Sequence, residues 1–202
     1  LSTAGPLPLG SLSDIRPLVD RAPPPGSLLE GRELNQIGPV LEASPQLMAY
    51  GRGVRAVAPD VARLGDGLPR LPGLRDRLLA CLDPEGAVAD GASPRLRQLR
   101  RDIREKRRRI VADLERMLAA NDAVAERFVT LRHERYVIPI RSDARGRVRG
   151  IVHDRSQSGQ TVFLEPEFLV DANNELVEQV RAEEQEQQRI LAELTALVRE
   201  HA

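Results

Sequence analysis

Tryptophan is absent, and two tyrosines and three phenylalanines hold the aromatic share of the 202 residues to 2%. With so few large rings, burial must rest on Leu, Val, Ile and Ala, which favours a long, thin helical architecture over one deep globular core. The single cysteine, Cys81, excludes an internal disulfide and a cysteine-rich metal site and suits the reducing cytoplasm. No apolar run approaches the roughly 18 residues of a membrane span. The opening LSTAGPLPLG lacks the basic start and apolar stretch of a signal peptide, so neither a membrane nor secretion is expected. Lysine is almost missing as well: Lys106 stands alone, and arginine supplies the rest of the positive charge, a coding bias before it is a chemical signal. The length allows one medium domain or two small ones. Thirty basic and thirty acidic residues cancel, yet their distribution along the chain is uneven.

Residues 1 to 90 read as short helices broken by Gly and Pro. SLSDIRPLVDRA is a first turn or two, stopped by Pro23-Pro24-Pro25-Gly26; Ser27 is expected to cap a second helix through Leu28, Leu34, Ile37 and Leu41, kinked at Pro39. Helices near Pro59 to Leu64 and Gly73 to Leu82 follow, then DPEGAVADGAS as a turn or tiny hairpin. Ser93 as cap and Pro94 at the first helical position open a segment free of Gly and Pro to about Phe128. Leu96, Ile103, Ile110, Met117 and Val124 recur every seventh residue, the narrow seam of a coiled coil. From 128 to 165 the period changes to two. RYVIPI, RVRGIVHD and QTVFLEP read as a small antiparallel meander, with Pro139 marking an edge strand and Gly159 a positive-φ turn. Pro166 is expected to start a second long helix carrying Leu169, Leu176, Ile190 and Leu197 in the same frame. Matching the two seams antiparallel predicts Val124 opposite Leu169, Met117 opposite Leu176 and Ile103 opposite Ile190, with Lys106 against Gln187. The chain starts without Met and stops at His201-Ala202 without a cap, which reads as a fragment cut inside a helix.

RYVIPI, then GIVHDRSQSGQTVFLEP, then NNEL followed by acidic residues and RILAELT resemble the middle of the bacterial MutS homologues of the second, Smr-bearing branch. DIRPLVDRA and DPEGAVADGASPRLRQLRRDIR fit the same family, so the resemblance runs from about Asp14 to the end and is most specific between Arg135 and Leu194. It implies a mainly α fold, with a short-helix core and long antiparallel coiled-coil lever arms that carry a small β clamp between them. The divisions are a core region at 1–92, an ascending lever helix at 93–128, the β clamp at 129–165 and a descending lever helix at 166–202. It also implies a homodimeric parent ATPase that uses ATP and Mg, grips DNA or the rRNA of stalled ribosomes, and sometimes carries an endonuclease. A phosphate-binding loop needs Gly-Lys-Ser or Gly-Lys-Thr, and the only lysine here lies in REKRRRI, so no cofactor site and no catalysis are expected in this chain.

Between Thr130 and Leu164, Arg132, Arg135, Arg141, Arg145, Arg147, Arg149 and Arg155 stand against Glu134, Asp143 and Asp154, a net +4. Such arginines can hold phosphates without reading sequence, or merely guard a sheet edge; the two readings are even on residues alone, and the clamp resemblance favours nucleic-acid contact. Arg95 to Arg109 carries +7, but Glu165 to Glu200 carries −7 and should lie alongside, so mutual neutralisation is the favoured reading there. His153, Asp154, Ser156 and Ser158 are triad residue types, yet neighbours on a strand diverge and turn serines bond their own backbone. His133, His153 and His201 have no metal-ligand spacing. Asn173 is either a surface residue or a register-setting polar group in the seam. The competing function is a structural coiled-coil module for dimerisation or partner binding without nucleic acid; no small-molecule substrate is expected.

Overall fold

The structure, a computed structural model, describes residues 5–10, 12–22 and 26–202. It is mainly α with one small antiparallel sheet, and it divides into two compact units, 1–96 with 186–202 and 97–185. Both dividing points fall inside continuous helices.

The first unit contains α1 (Arg16–Arg21), α2 (Gly31–Gly53), α3 (Pro59–Asp66) and α4 (Pro72–Cys81), with the first residues of α5 (Pro94–Ala120) and the last half of α6 (Val170–Arg199). Prolines at the first turns of α1, α3 and α4 cost no hydrogen bond there. The expected cap at Ser27 is not formed: its hydroxyl donates to the Ala22 carbonyl at 2.8 Å, and α2 begins at Gly31 with the Glu33 carboxylate accepting the Glu30 N–H at 2.8 Å. The Pro23-Pro24-Pro25 stop lies outside the described residues. Asp83 and Ala87 close the DPEGAV turn, with Leu82 and Val88 as a single bridge. Leu29, Leu34, Leu78, Cys81 and Leu96 pack with Ile190, Leu194 and Val198 into one apolar core. Two polar ties cross it: the Leu29 N–H donates to Thr195 Oγ1 at 3.0 Å, and Arg199 Nε donates to the Ala22 carbonyl at 2.6 Å.

In the second unit, α5 continues to Ala120, eight residues short of the expected Phe128. β1 (Thr130–Arg132), β2 (Arg135–Arg141), β3 (Gly150–Arg155) and β4 (Thr161–Pro166) follow. They lie in the order β1-β2-β4-β3, which corrects the meander: a 3₁₀ segment at Ser142–Arg147 carries the chain past the position that β4 later fills. β2 is therefore interior, not an edge strand. Pro139 is tolerated because its carbonyl turns away from β4 to accept the Ala125 N–H at 3.0 Å, so the missing N–H breaks no bond to β4. Gly159, at φ 71°, closes the β3–β4 turn by donating to the Ser156 carbonyl. Pro166 ends β4 instead of starting a helix; Glu167–Leu169 form a 3₁₀ turn and α6 begins at Val170.

Ile110, Leu114 and Leu118 of α5 pack with Ile138, Ile140 and Leu164 of the sheet and with Leu169 and Leu176. The expected helix register is overturned. Lys106 pairs with Glu175 where matching the two seams gives Gln187, and Arg100 pairs with Glu183 at 2.7 Å in the same shifted register. The slip is about three helical turns, which returns the same face of each helix to the partner. It arises because the end of α5 is committed to the sheet, so the α6 seam meets an earlier stretch of α5.

Candidate nucleic-acid interface

The arginines of the second unit fall into two groups. Arg132 Nε donates to Asp154 at 2.9 Å, and its guanidinium lies over the Phe163 ring at 4.0 Å. Arg135 donates to Glu165 at 2.7 Å and also bonds Asn174. Arg141 reaches Asp143 at 3.3 Å and the Asp122 carbonyl at 3.1 Å. These three are engaged with the fold. Arg145 and Arg147 project from the 3₁₀ segment, Arg149 immediately precedes β3 and Arg155 ends it; all four are exposed and have no ion pair among the described residues. Arg145 and Arg149 line an open groove of about 710 Å³ beside the start of α6.

The organising residue of this unit was not singled out by the sequence. Glu165 is fully buried; one oxygen accepts from Arg135 and, at 2.8 Å, from Asn173 Nδ2, while the other lies 2.6 Å from His153 Nε2. Asn173 also accepts the Tyr136 N–H at 3.2 Å and donates to the Tyr136 carbonyl at 3.1 Å. It is thus neither a surface residue nor a seam residue, but ties α6 to β2. The pairing of β3 with β4 slips between Val152 and Asp154, and this bulge turns His153 to the carboxylate. Gly150 opposes Pro166, and the position requires glycine because a Cβ there would stand 2.1 Å from the Glu165 carbonyl oxygen. A glutamate inside the apolar run TVFLEP was the available signal, since an ionised group in such a run must find partners.

The triad residue types do not converge. His153 faces Glu165, Asp154 faces Arg132, and Ser156 and Ser158 bond one another and the turn backbone. Hydrogen bonding from the Arg155 N–H, assisted by Arg132, holds the Asp154 carboxyl below its ordinary range. Along α5, Arg95, Arg100 and Lys106 face Glu186, Glu183 and Glu175. Lys106 is therefore mid-helix and ion-paired, which does not fit the lysine of a triphosphate-binding loop. Among the described residues no cluster of His, Cys, Asp and Glu is arranged to hold a metal ion, and no helix is long and apolar enough to cross a membrane.

No protein-family model matches the chain. Over its full length it is 38% identical to a protein named Endonuclease MutS2 from Geobacillus sp. (strain WCH70), of which it covers 26%. Proteins of the same name from Levilactobacillus brevis and Lactiplantibacillus plantarum are 40% and 36% identical over 95% and 96% of the chain, each a quarter covered. The chain is a homologue of the MutS2 proteins. It spans about a quarter of the length of these MutS2 relatives, and alignment over 95% or more of the chain brings both the helical unit and the sheet unit within the shared region.

Proposed function

We propose that this chain is the non-catalytic core, lever and clamp segment of a longer, homodimeric MutS-like ATPase. In this reading the sheet unit grips DNA, or rRNA on a stalled ribosome, without reading sequence. The antiparallel pair formed by α5 and α6 is the lever that couples this grip to ATP and Mg bound elsewhere in the longer protein. The observation that carries the reading is the division of the arginines: Asp154 and Glu165 are taken up by Arg132 and Arg135, while Arg145, Arg147, Arg149 and Arg155 keep exposed guanidinium groups for phosphate. Lys106, committed to Glu175, supports an ATP site outside this chain.

Replacing Arg145, Arg147 and Arg149 together by Ala tests the reading. Fluorescence titration against duplexes of unrelated sequence should show weaker binding to all of them, with the salt slope smaller by about 3. Unchanged affinity and slope overturn it. Calorimetry of the chain with ATP and Mg should give no saturable heat.

A further inference from the structure

The first unit has a groove of its own, between α2 and the link 67–71 that joins α3 to α4. Leu41 and Leu71 supply its floor; both are half-buried and pack against the apolar core. Pro45, Pro69 and Pro72 wall it. The buried Ser44 hydroxyl donates to the Pro69 carbonyl at 2.8 Å and so fastens the link to α2. With that tie and three rings of fixed φ, the walls are formed before any ligand arrives. Arg52, Arg70 and Arg75 complete the lining, and no carboxylate takes part in it. Arg75 donates twice to Asp76, at 3.0 and 2.7 Å, whereas Arg52 and Arg70 are exposed and form no ion pair among the described residues.

We infer that this groove docks an acidic segment of a partner protein through one aromatic side chain. The ring rests on Leu41, Pro45 and Leu71, and carboxylates on either side of it meet Arg52 and Arg70. The inference concerns the first unit alone and does not rest on the nucleic-acid reading above.

Charge selects the partner. Three guanidinium groups face one carboxylate, that of Asp76, so a basic segment is repelled and a neutral one leaves the arginines unanswered. Carboxylates instead form charge-assisted bonds with the planar guanidinium fork. Size selects the anchor. The groove holds about 270 Å³, below the roughly 300 to 1,000 Å³ of small-molecule sites, and suits one large side chain whose neighbours stay outside. An aromatic ring fits better than an aliphatic chain because its face also attracts the guanidinium groups. Nucleic acid is the poorer match: phosphates need no apolar floor, and no aromatic residue lines the groove to stack a base.

The test uses the 202-residue chain and a synthetic peptide in which one Trp stands between two pairs of Asp, flanked by Gly and Ser. The chain has no tryptophan, so the emission reports the peptide's ring alone and should move to the blue as binding saturates. Arg52→Glu combined with Arg70→Glu should weaken binding at least about tenfold, because two attractions become repulsions. Pro45→Phe fills the groove at constant charge and should weaken binding to a similar extent. All three positions are exposed, so the variants should keep the circular dichroism of the parent. A peptide with Asn for Asp should also bind at least about tenfold more weakly. Absence of saturable binding overturns the inference, as does binding that ignores Pro45→Phe or the loss of the Asp charges. If the arginine pair weakens binding of duplex DNA as strongly as that of the peptide, these arginines belong to a phosphate surface and the inference falls.

Discussion

The hydroxyl of Ser93 donates to the buried carboxylate of Glu186 at 2.7 Å, and the same oxygen accepts the Leu96 N–H at 2.9 Å. One side chain thus caps the start of α5 and attaches it to α6. Ser93→Ala removes the cap and one bond to a charged group, and should lower stability by about 2 kcal/mol in urea denaturation. Ser93→Thr should restore most of the loss; a neutral Ser93→Ala would contradict the link.

Acid should reveal the same contact. Hydrogen bonds from Arg189, with further help from Ser93 and the Arg95 charge, hold the Glu186 carboxyl at about 2 against an ordinary 4.5. A carboxyl held down by folding contributes its full stability above its unfolded value and loses it as pH falls through its folded value. The urea midpoint should therefore drop between about pH 4.5 and pH 2, and Glu186→Gln should show a shallower drop in that window from a lower starting stability.

Removing the carboxylate of Glu165 strands Arg135, His153 and Asn173 together. Glu165→Ala should cost about 3 to 5 kcal/mol, the range for breaking a buried ion pair. Thermal melting followed by circular dichroism is the measurement, and a shift as small as that of an exposed-site substitution would refute the tie.

The β1–β2 turn places His133 at φ 50° and Glu134 at φ 63°, backbone that favours Asn and Gly. Replacing the pair by Asn-Gly should stabilise the hairpin by about 1 kcal/mol. The thermal midpoint should rise; a fall would mean that these side chains make a contact worth more than the strain.

Helix register can be tested by chemical linkage. Cysteines in place of Lys106 and Glu175 should be joined by a short bis-thiol reagent, whereas cysteines at Met117 and Leu176 should not. Cys81 needs no replacement: it is fully buried and burial pushes its thiol pKa up, so it should react only after unfolding. Efficient linkage of the Met117 and Leu176 pair would restore the alignment read from the heptads.

The long helices were legible because period and punctuation agree. Ser93 and Pro94 announce α5, a seven-residue spacing runs through both helices, and Gly159 marks its turn. Register was not legible, because a helical seam shifted by about three turns still presents the same face. Strand order was hidden for a related reason: Ser142–Arg147 reads as a turn between neighbours, and nothing local tells that β4 will enter beside β2. In the candidate site the charge of the arginines was visible but not their commitments. Arg135 and Arg149 look alike in sequence, and only the bulge at His153 and the burial of Glu165 separate a structural arginine from an available one.

Lys106 carries the chain's single side-chain amine, and Glu175 holds it largely covered, with 20% of the side chain exposed. An acylating reagent therefore has one lysine to modify, at the contact between α5 and α6, and must wait for that contact to open. The rate of acylation becomes a clock for local separation of the two helices, readable by mass spectrometry on the unaltered protein and responsive to any ligand that tightens or loosens the pair.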